Sequence, residues 1–367
     1  MGQHAEETLL IDLGALYERH GYARHKPSTF EAYDFYARYR SFLRSEPIVS
    51  FTAPDGRLMA FKPDVTLSIA KNAPATPCAA LKAYYRESVY RKDRKSGELR
   101  EIMQAGLELI GVIDRFSMCE VVRLALLSLQ RIGKPCELAL SHLGFVEALL
   151  DGAGLSGDAA MRALSMIGRR SAHELQALLR EQNAPEDAAN RIQSLVQIYG
   201  PLEDQLPALE ALNYSNATNS ALAELKHLAD DLGAFGESAH LSIDFSMVND
   251  MDYYGGVIFK GYVQGISHCV LSGGRYDRLI EKLGKQGGAI GFAVYPDLIE
   301  YAARDRAQYD ADTLILYDDD SAVEDIARAI EMFEKGGQRV LVQRAEPPGG
   351  RFRSKVRMRE RGFELEC

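Results

Sequence analysis

The sequence lacks any apolar run long enough to cross a membrane, which takes about 18 residues or more. Its first residues, MGQHAEETLL, also lack the apolar segment of a secretory signal peptide. CxxC spacing is absent too, and the five cysteines are scattered: Cys78, Cys119, Cys136, Cys269 and Cys367. We therefore expect reduced thiols in a cytoplasmic protein, with neither a disulfide framework nor a zinc site.

A surplus of positive charge is missing as well. The chain has 43 Lys and Arg against 52 Asp and Glu, a formal net charge of −9. Proteins that mainly bind nucleic acid usually carry a basic surplus, because phosphate contacts supply most of the affinity. The charge balance therefore disfavours nucleic acid as the principal partner, although a local basic patch can still bind tRNA. With 46% hydrophobic and 26% charged residues over 367 positions, the composition is typical of a globular protein of two or three domains.

Hydrophobic periodicity divides the chain into four segments. The first opens with an amphipathic helix at 6–20 and continues in short strands, including a hairpin that turns at Pro54-Asp55-Gly56. The second is rich in Ala and Leu at helical spacing and predicts a helical insertion, after which strands return. The last predicts a small α/β unit, with a second helix at 351–362 before its final strand. The predicted bounds are 1–143, 144–239, 240–307 and 308–367.

Two predicted strands within 81–111 enclose a charged loop and carry the first candidate site residues. Gln104, Gly106 and Glu108 share parity and therefore one face of the returning strand. An amide and a carboxylate flanking a glycine suit an ammonium group with space beside it. A solvated antiparallel face is the plainer alternative. Arg91 lies just before the charged loop.

Glycines beside aromatic hydroxyls mark a second candidate region. Gly273-Gly274 end a predicted strand, where another backbone or a ligand can approach closely, although a bulge is the commoner meaning of such a pair. Tyr253 and Tyr254 precede another glycine pair. In a regular strand these two tyrosines point to opposite faces, so at most one of them is a simple core residue.

Four blocks in a fixed order resemble the catalytic core of histidyl-tRNA synthetase. They are FKPDVT, YYRESVYRKDR…REIMQAGLELIG, MDYYGGVIFKG and SGGRYDRLIEKLG. The resemblance spans roughly residues 6–305 and includes a helical insertion at the corresponding place. It implies an α+β fold of the class II aminoacyl-tRNA synthetase type, an antiparallel sheet flanked by helices, with a short C-terminal α/β unit. It also implies a dimer formed partly through the segment around Pro27.

Transferred position by position, the resemblance implies a histidine-binding site. Six polar residues would line it: Asp64, Thr66, Gln104, Glu108, Tyr253 and Tyr254. The first four would surround the α-amino group, and the two tyrosines would lie near the imidazole. Arg91 matches an arginine that contacts the ATP α-phosphate, and Asp64 stands where the family usually has glutamate. The residue types agree, since carboxylates pair with an ammonium group and phenol and amide groups satisfy buried ring nitrogens.

Chemistry on that histidine is not expected, because the positive charges that adenylation needs are missing. Joining a carboxylate to a phosphate depends on fixed cations. The synthetase block Arg-Gly-Leu-Asp-Tyr-Tyr has Asn249 in place of the arginine and Asp250 in place of the glycine. The third class II signature has Leu298 at its arginine position and Tyr295-Pro296-Asp297 in place of a small-residue turn. Losing one such donor costs about 10²–10³ in rate, so no residue is predicted to be catalytic.

One family combines these features: the regulatory subunit of ATP phosphoribosyltransferase, which resembles a synthetase core without the adenylation arginines. By that resemblance, the chain activates a short-form catalytic subunit at the first step of histidine biosynthesis. It would also help transmit feedback inhibition by histidine, within a hetero-oligomer. We predict no cofactor, no metal and no membrane association.

Two alternatives stay open. A diverged histidyl-tRNA synthetase paralogue would still activate an amino acid with ATP, because Arg91, Lys62 and the Arg86/Arg94 region leave positive charge near a phosphate site. A stand-alone tRNA-associated protein would instead use the basic run near the C-terminus. For that run a solvated basic helix is the plainer interpretation. The run comprises Arg351, Arg353, Lys355, Arg357, Arg359 and Arg361.

Overall fold

The computed structural model describes residues 2–43, 47–76, 80–92, 96–248, 253–299, 309–359 and 362–366. They fall into two compact units, a large one within residues 6–299 and a small one that holds the residues from 309 onward. Asn249, Asp250 and Arg94 lie outside the described residues, so what the sequence predicts for them stays a prediction. None of the described helices has the length and apolar character to span a membrane.

A nine-stranded sheet forms the centre of the large unit. Its strands are β1 (Ala23–Arg24), β5 (Leu81–Lys92), β6 (Leu99–Gly111), β7 (Cys136–His142), β8 (Tyr199–Pro201), β9 (Leu241–Asp244), β10 (Val257–Val263), β11 (Leu271–Arg275) and β12 (Gly288–Val294). Their order is β1-β5-β6-β12-β11-β10-β7-β9-β8. The β1–β5 and β7–β9 pairs are parallel and all other neighbours are antiparallel. The predicted antiparallel sheet is confirmed.

The hairpin predicted at Pro54-Asp55-Gly56 joins two strands of a separate small sheet. This sheet has the order β2-β4-β3 and consists of β2 (Phe30–Ala32), β3 (Ser50–Thr52) and β4 (Leu58–Phe61). Asp55 accepts hydrogen bonds from the backbone N–H and side chain of Arg57, and Gly56 has φ +82°. Turn chemistry legible in the sequence therefore determines this hairpin.

Several α-helices accompany the sheets of the large unit. They are α1 (Gly2–Arg19), α2 (Tyr33–Arg38), α3 (Thr66–Asn72), α4 (Arg115–Gln130), α5 (Leu143–Gly152), α6 (Gly157–Gly168), α7 (Ala172–Glu181), α8 (Glu186–Gln197), α9 (Leu202–Leu212), α10 (Asn216–Ala234) and α11 (Asp277–Lys282). Asp114 accepts a hydrogen bond from the Ser117 N–H at the start of α4, and Ser215 and Thr218 form a capping box on α10. Such caps satisfy backbone N–H groups that have no partner within the helix.

The helical insertion also contributes a strand to the sheet. Between α8 and α9, the strand β8 pairs antiparallel with β9 at the edge of the sheet, an element that helical periodicity did not predict. Gly200, at its centre, has φ +123°, a backbone conformation that favours glycine. On α10, Glu224 contacts both His142 at the end of β7 (3.0 Å) and Arg275 at the end of β11 (3.5 Å). The insertion is thereby fastened to the central strands.

The small unit has a four-stranded sheet in the order β14-β13-β15-β16. Its elements are β13 (Ala311–Leu316), α12 (Val323–Lys335), β14 (Val340–Gln343), β15 (Phe352–Arg359) and β16 (Gly362–Glu366). The predicted strand–helix–strand start and the last strand are confirmed.

The helix predicted at 351–362 is wrong, because most of that segment forms β15. Val356 and Met358 are buried at alternate positions, the period of two that marks a strand. The basic residues occupy the alternate sequence positions of the strand. Two of them are paired with acids, Lys355 with Glu346 and Arg359 with Glu364. The residues Arg351, Arg353, Lys355, Arg357 and Arg359 are therefore part of a β-strand, while Arg361 lies outside the described residues.

Helix α3 is held at its C-terminal end by the side chain of Lys285. The Lys285 ammonium donates hydrogen bonds to the carbonyl oxygens of Ala70 (2.7 Å), Lys71 (2.6 Å) and Ala73. The last carbonyls of a helix have no partner within it and carry partial negative charge, so a cation there is stabilising.

Lys285→Met should therefore destabilise the large unit by about 1–3 kcal/mol, the usual range for hydrogen bonds to a charged group. Urea unfolding followed by circular dichroism would measure the change. Lys226→Met, which removes a surface pair with Glu210 on α9, is the matched control and should cost less than about 1 kcal/mol. Equal losses in the two variants would contradict a special role for Lys285.

Candidate functional site

One small cavity in the large unit brings together every residue predicted to bind histidine. Six of its lining residues are Asp64, Thr66, Gln104, Glu108, Tyr253 and Tyr254, and Arg91 joins them. Further lining residues are Tyr85, Ser272, Tyr276, Gly291, Phe292, Ala293 and Tyr295. The volume of this cavity that is open to the centre of a water molecule is about 30 Å³.

Glu108 on β6 is the centre of this cavity. Its side chain is 1% exposed. The Thr66 hydroxyl, at the start of α3, donates a 2.6 Å hydrogen bond to Glu108 Oε1, and the Tyr276 hydroxyl donates to Oε2. Asp64 in turn accepts a 2.7 Å hydrogen bond from the Leu67 N–H at the start of α3. The carboxyl group thus holds together β6, α3 and the chain that follows β11.

Burial alters the acidity of this cluster. Removal from water raises the pKa of Glu108 from 4.5 to about 8, and the nearby Asp64 charge adds to the rise, while the Thr66 and Tyr276 hydrogen bonds oppose it. Burial also raises the pKa of Tyr253 and of Tyr276 well above 10. Near neutral pH the Glu108 carboxyl is therefore largely protonated, and the phenols keep their protons.

Tyr253 and Tyr254 do not point to opposite faces of a sheet. The strand β10 begins only at Val257, so both tyrosines precede it, in a turn. Both are 6% exposed, their ring centroids lie 4.7 Å apart, and both line the cavity. Alternation is a property of extended strands and does not constrain residues in a turn.

Three glycines keep the site open. A Cβ atom at Gly291 would lie 1.8 Å from Glu108 Oε2, and one at Gly106 would lie 2.8 Å from the Tyr85 hydroxyl. At Gly274 it would lie 2.8 Å from the Tyr254 ring. The space expected beside Gly106 thus exists, and Tyr85 fills it.

Gly273 has a different role, because it is not among the residues that line the cavity. A Cβ atom there would meet the Gly291 carbonyl at 2.4 Å and the side chains of Phe292 and Phe259 at 2.5 and 2.6 Å. The glycine at this position permits close packing of strand and aromatic rings. The first glycine of the pair is therefore a packing residue, and only the second makes room for a cavity side chain.

Strand parity would have revealed several residues that the sequence analysis missed. Ser272 and Tyr276 share parity with Gly274, along β11 and one residue beyond it. Ala293 and Tyr295 share parity with Gly291, along β12 and one residue beyond it. All four line the cavity. The same period of two that selected Gln104 and Glu108 on β6 applies to these two strands.

A larger cavity of about 620 Å³ adjoins the small one and shares Arg91, Ser272 and Tyr295 with it. Its other lining residues are Arg100, Glu101, Ile102, Lys260, His268, Cys269, Asp297 and Leu298. Leu298 presents an apolar side chain to this space. Among the described residues, no group of three or more His, Cys, Asp or Glu is arranged to hold a metal ion.

Lys62 and Arg86 line neither cavity. Lys62 is 1% exposed and its ammonium lies 2.9 Å from Glu87 Oε2. Buried ammonium groups need such a partner, since an isolated charge in the interior is strongly unfavourable. Of the cations that the sequence analysis placed near a phosphate site, only Arg91 occupies that position among the described residues.

The family model for histidyl-tRNA synthetase matches residues 3–299. The chain belongs to the histidyl-tRNA synthetase family. Within this family, it is 28% identical to a protein named ATP phosphoribosyltransferase regulatory subunit from Acetivibrio thermocellus, over 81% of this chain and 73% of that relative.

Solved structures of the family share the fold. One from Bacillus halodurans, described as an ATP phosphoribosyltransferase regulatory subunit/histidyl-tRNA synthetase, is 25% identical with a TM-score of 0.73, covering 93% of this chain and 89% of that one. A chain of the ATP phosphoribosyl transferase (HisG:HisZ) complex from Thermotoga maritima is 18% identical with a TM-score of 0.63, covering 78% and 96%. The predicted class II synthetase-like α+β fold is confirmed.

Replacing Glu108 by Gln should change how stability depends on pH. The folded-state pKa of about 8 exceeds the ordinary value of 4.5, so the contribution of Glu108 is present in full below pH 4.5 and is lost as pH rises through 8. One proton changes the free energy of unfolding by at most about 1.4 kcal/mol per pH unit. Urea unfolding between pH 5 and 8.5 should show a shallower decline for the variant.

Glu101→Gln is the matched control, because Glu101 lies on the same strand and is exposed. Its pH dependence should follow that of the original protein. A Glu108→Gln profile parallel to that of the original protein would show that this carboxyl does not titrate with a raised pKa.

Proposed function

We propose that this chain is a non-catalytic regulatory subunit of ATP phosphoribosyltransferase. It binds histidine in the small cavity, assembles with a short-form catalytic subunit and makes that subunit responsive to histidine. The relatives named as regulatory subunits support the proposal, and so does the Thermotoga maritima complex, whose chain has the same fold.

The observation that carries the proposal is the contrast between the two cavities. The small one has the polar groups that an amino acid requires: the acids and Gln104 for its ammonium group, and Tyr253 and Tyr254 for its side chain. The adjoining one has Leu298 where adenylation needs a fixed cation. Ligand binding without ligand activation is what such a pair of cavities supports.

A sensor requires two states of the complex. A ligand shifts an equilibrium only through different affinities for two states, so histidine has to bind the small cavity with different affinity in the active and the inhibited forms.

We also propose that the chain self-associates as a dimer through its core. The small sheet formed by β2, β4 and β3 exposes apolar side chains, with Phe30 at 47% and Leu58 at 48%. The Phe30 ring packs edge-on against Phe51 at 5.6 Å, which extends this apolar surface. The segment around Pro27 leads directly into β2, in agreement with the dimer contact that the family resemblance implies.

The decisive experiment mixes the purified chain with a short-form catalytic subunit from the same organism and follows formation of phosphoribosyl-ATP. The chain should stimulate the reaction, and histidine should suppress the stimulated rate. Glu108→Gln should still stimulate, while at least tenfold more histidine should be needed for suppression, because the buried ammonium partner is lost.

Glu281→Gln, a change on the exposed surface of α11, is the control and should behave like the original chain. Absence of stimulation by the original chain would end the regulatory proposal. Unchanged histidine sensitivity in Glu108→Gln would remove the small cavity as the sensing site.

Histidine binding should release a proton. The Glu108 carboxyl is largely protonated at pH 7 in the free protein and becomes ionised when an ammonium group is bound beside it. Isothermal titration calorimetry at pH 7 in two buffers of different ionisation enthalpy should show release of up to one proton per histidine. Release should vanish in Glu108→Gln. Equal heats in both buffers would contradict this coupling.

One observation favours a second candidate, amino-acid activation with ATP. The larger cavity has the volume for a nucleotide and is lined by Arg91, Arg100 and Lys260. ATP–pyrophosphate exchange by the isolated chain, dependent on histidine and abolished by Arg91→Ala, would establish this function in place of the regulatory one. We expect no exchange, because Leu298 supplies no charge for the developing phosphate.

A further inference from the structure

The two cavities adjoin, and three residues line both of them: Arg91, Ser272 and Tyr295. We call these three residues the wall. Tyr295 follows the last residue of β12, at the point where the small-residue turn of an adenylating enzyme is replaced by Tyr295-Pro296-Asp297. A tyrosine side chain therefore lies at the junction of the small cavity and the larger one.

Hydrogen bonds fix this wall in place. The Tyr295 hydroxyl lies 2.7 Å from Ser272 Oγ on the neighbouring strand β11. The Tyr295 N–H donates to the Val270 carbonyl at 2.8 Å. Two residues further, the Asp297 carboxylate accepts a 3.1 Å hydrogen bond from the Met103 N–H on β6. The wall is thus tied to the strands on both sides of β12, and the ring is held across the junction.

Charge determines which end of an amino acid meets the wall. Of the described residues that line the small cavity, the acids are Asp64 and Glu108 and the one cation is Arg91. An amino acid bound there pairs its ammonium group with the acids and turns its α-carboxylate toward Arg91. Arg91 and Tyr295 both line both cavities, so the carboxylate faces the side of the small cavity that borders the larger one.

We propose that Tyr295 is a specificity-determining residue that closes the small cavity at the ligand's α-carboxylate and rejects ligands extended there. This inference rests on the proposed function, since it takes an amino acid as the ligand. Without the ring, the two spaces would join, and a group attached to the carboxyl would enter the larger cavity. Arg100 and Lys260 line that cavity and would pair with an anionic extension.

The probe is the dipeptide histidylglycine, which keeps the ammonium group and imidazole of histidine and moves its carboxylate outward by one residue. Isothermal titration calorimetry would compare histidine and histidylglycine on the original chain, Tyr295→Ala and Tyr295→Phe. The original chain should bind the dipeptide at least tenfold more weakly than histidine. Tyr295→Ala should gain at least tenfold for the dipeptide relative to histidine.

The remaining variants distinguish the effect of the Tyr295 ring on binding from that of its hydrogen bond, and from the effect of removing any tyrosine. Tyr295→Phe keeps the ring, so it should keep most of the discrimination. Tyr199→Ala removes an exposed tyrosine from β8 at the far edge of the sheet and should match the original chain. Tyr295→Leu is a second opening variant if Tyr295→Ala does not fold. An unchanged affinity ratio in a folded opening variant, or equal binding of both ligands by the original chain, would overturn the proposal.

A second measurement tests the wall without any ligand. Ala293 lines the small cavity alone, whereas Cys269 lines the larger one. In an Ala293→Cys protein, iodoacetamide should modify Cys269 first and the new thiol at least tenfold more slowly, as resolved by peptide mass spectrometry. Adding Tyr295→Ala should remove most of that difference.

The two measurements distinguish failure of the proposed histidine site from failure of the proposed role of Tyr295. If histidine does not bind the original chain, the proposed histidine site is lost, and the labelling result alone decides the wall. If histidine binds but the new thiol is labelled equally fast with and without Tyr295, the wall is overturned and the histidine site stands.

Discussion

The arrangement of the site depends on one constraint: the carboxyl group of Glu108 is buried and has to be satisfied. A buried carboxyl without partners costs several kcal/mol, so the hydroxyls of Thr66 and Tyr276 are structural necessities. They come from α3 and from the chain beyond β11, two elements far apart in sequence. Satisfying one carboxyl therefore brings together three walls of the cavity, and Lys285 fixes α3 from its other end.

The same constraint explains the glycines. Strands β6 and β12 lie side by side with Gly291 opposite Glu108, and the carboxyl occupies the space that a Cβ atom there would need. Gly106 gives its space to the Tyr85 hydroxyl in the same manner, across the β5–β6 pair. Where a large polar side chain lies over the centre of this sheet, the residue opposite it on the neighbouring strand is therefore glycine.

Local sequence patterns predicted the parts of this architecture that depend on nearby residues. Period-two spacing placed Gln104 and Glu108 on one face, and both line the cavity. Local patterns failed where the backbone type was misjudged. Tyr253 and Tyr254 lie before the strand β10, and the alternate apolar residues Phe352, Val356 and Met358 of the basic run were overlooked.

Local sequence patterns could not predict contacts between segments that are distant in the chain. Nothing local to Tyr276 predicts that its hydroxyl donates to a carboxyl 168 residues away, and nothing local to Tyr295 predicts its bond to Ser272. The ordered family blocks supplied part of this long-range information, because they fix which strands are neighbours. They did so for the predicted histidine-site residues, which line one cavity, and they gave no information on Tyr295.

The relation between the two cavities gives the departures from the family pattern a common physical meaning. Adenylation requires an open path between an amino-acid carboxylate and a phosphate, together with cations along that path. Here Leu298 presents an apolar side chain to the nucleotide-sized space, and Tyr295, bonded to Ser272, stands across the junction. Leu298 lines the larger cavity and not the small one that contains Glu108. In the proposed function, binding uses the ammonium end of the ligand and activation would use its carboxylate end, so one can be lost without the other.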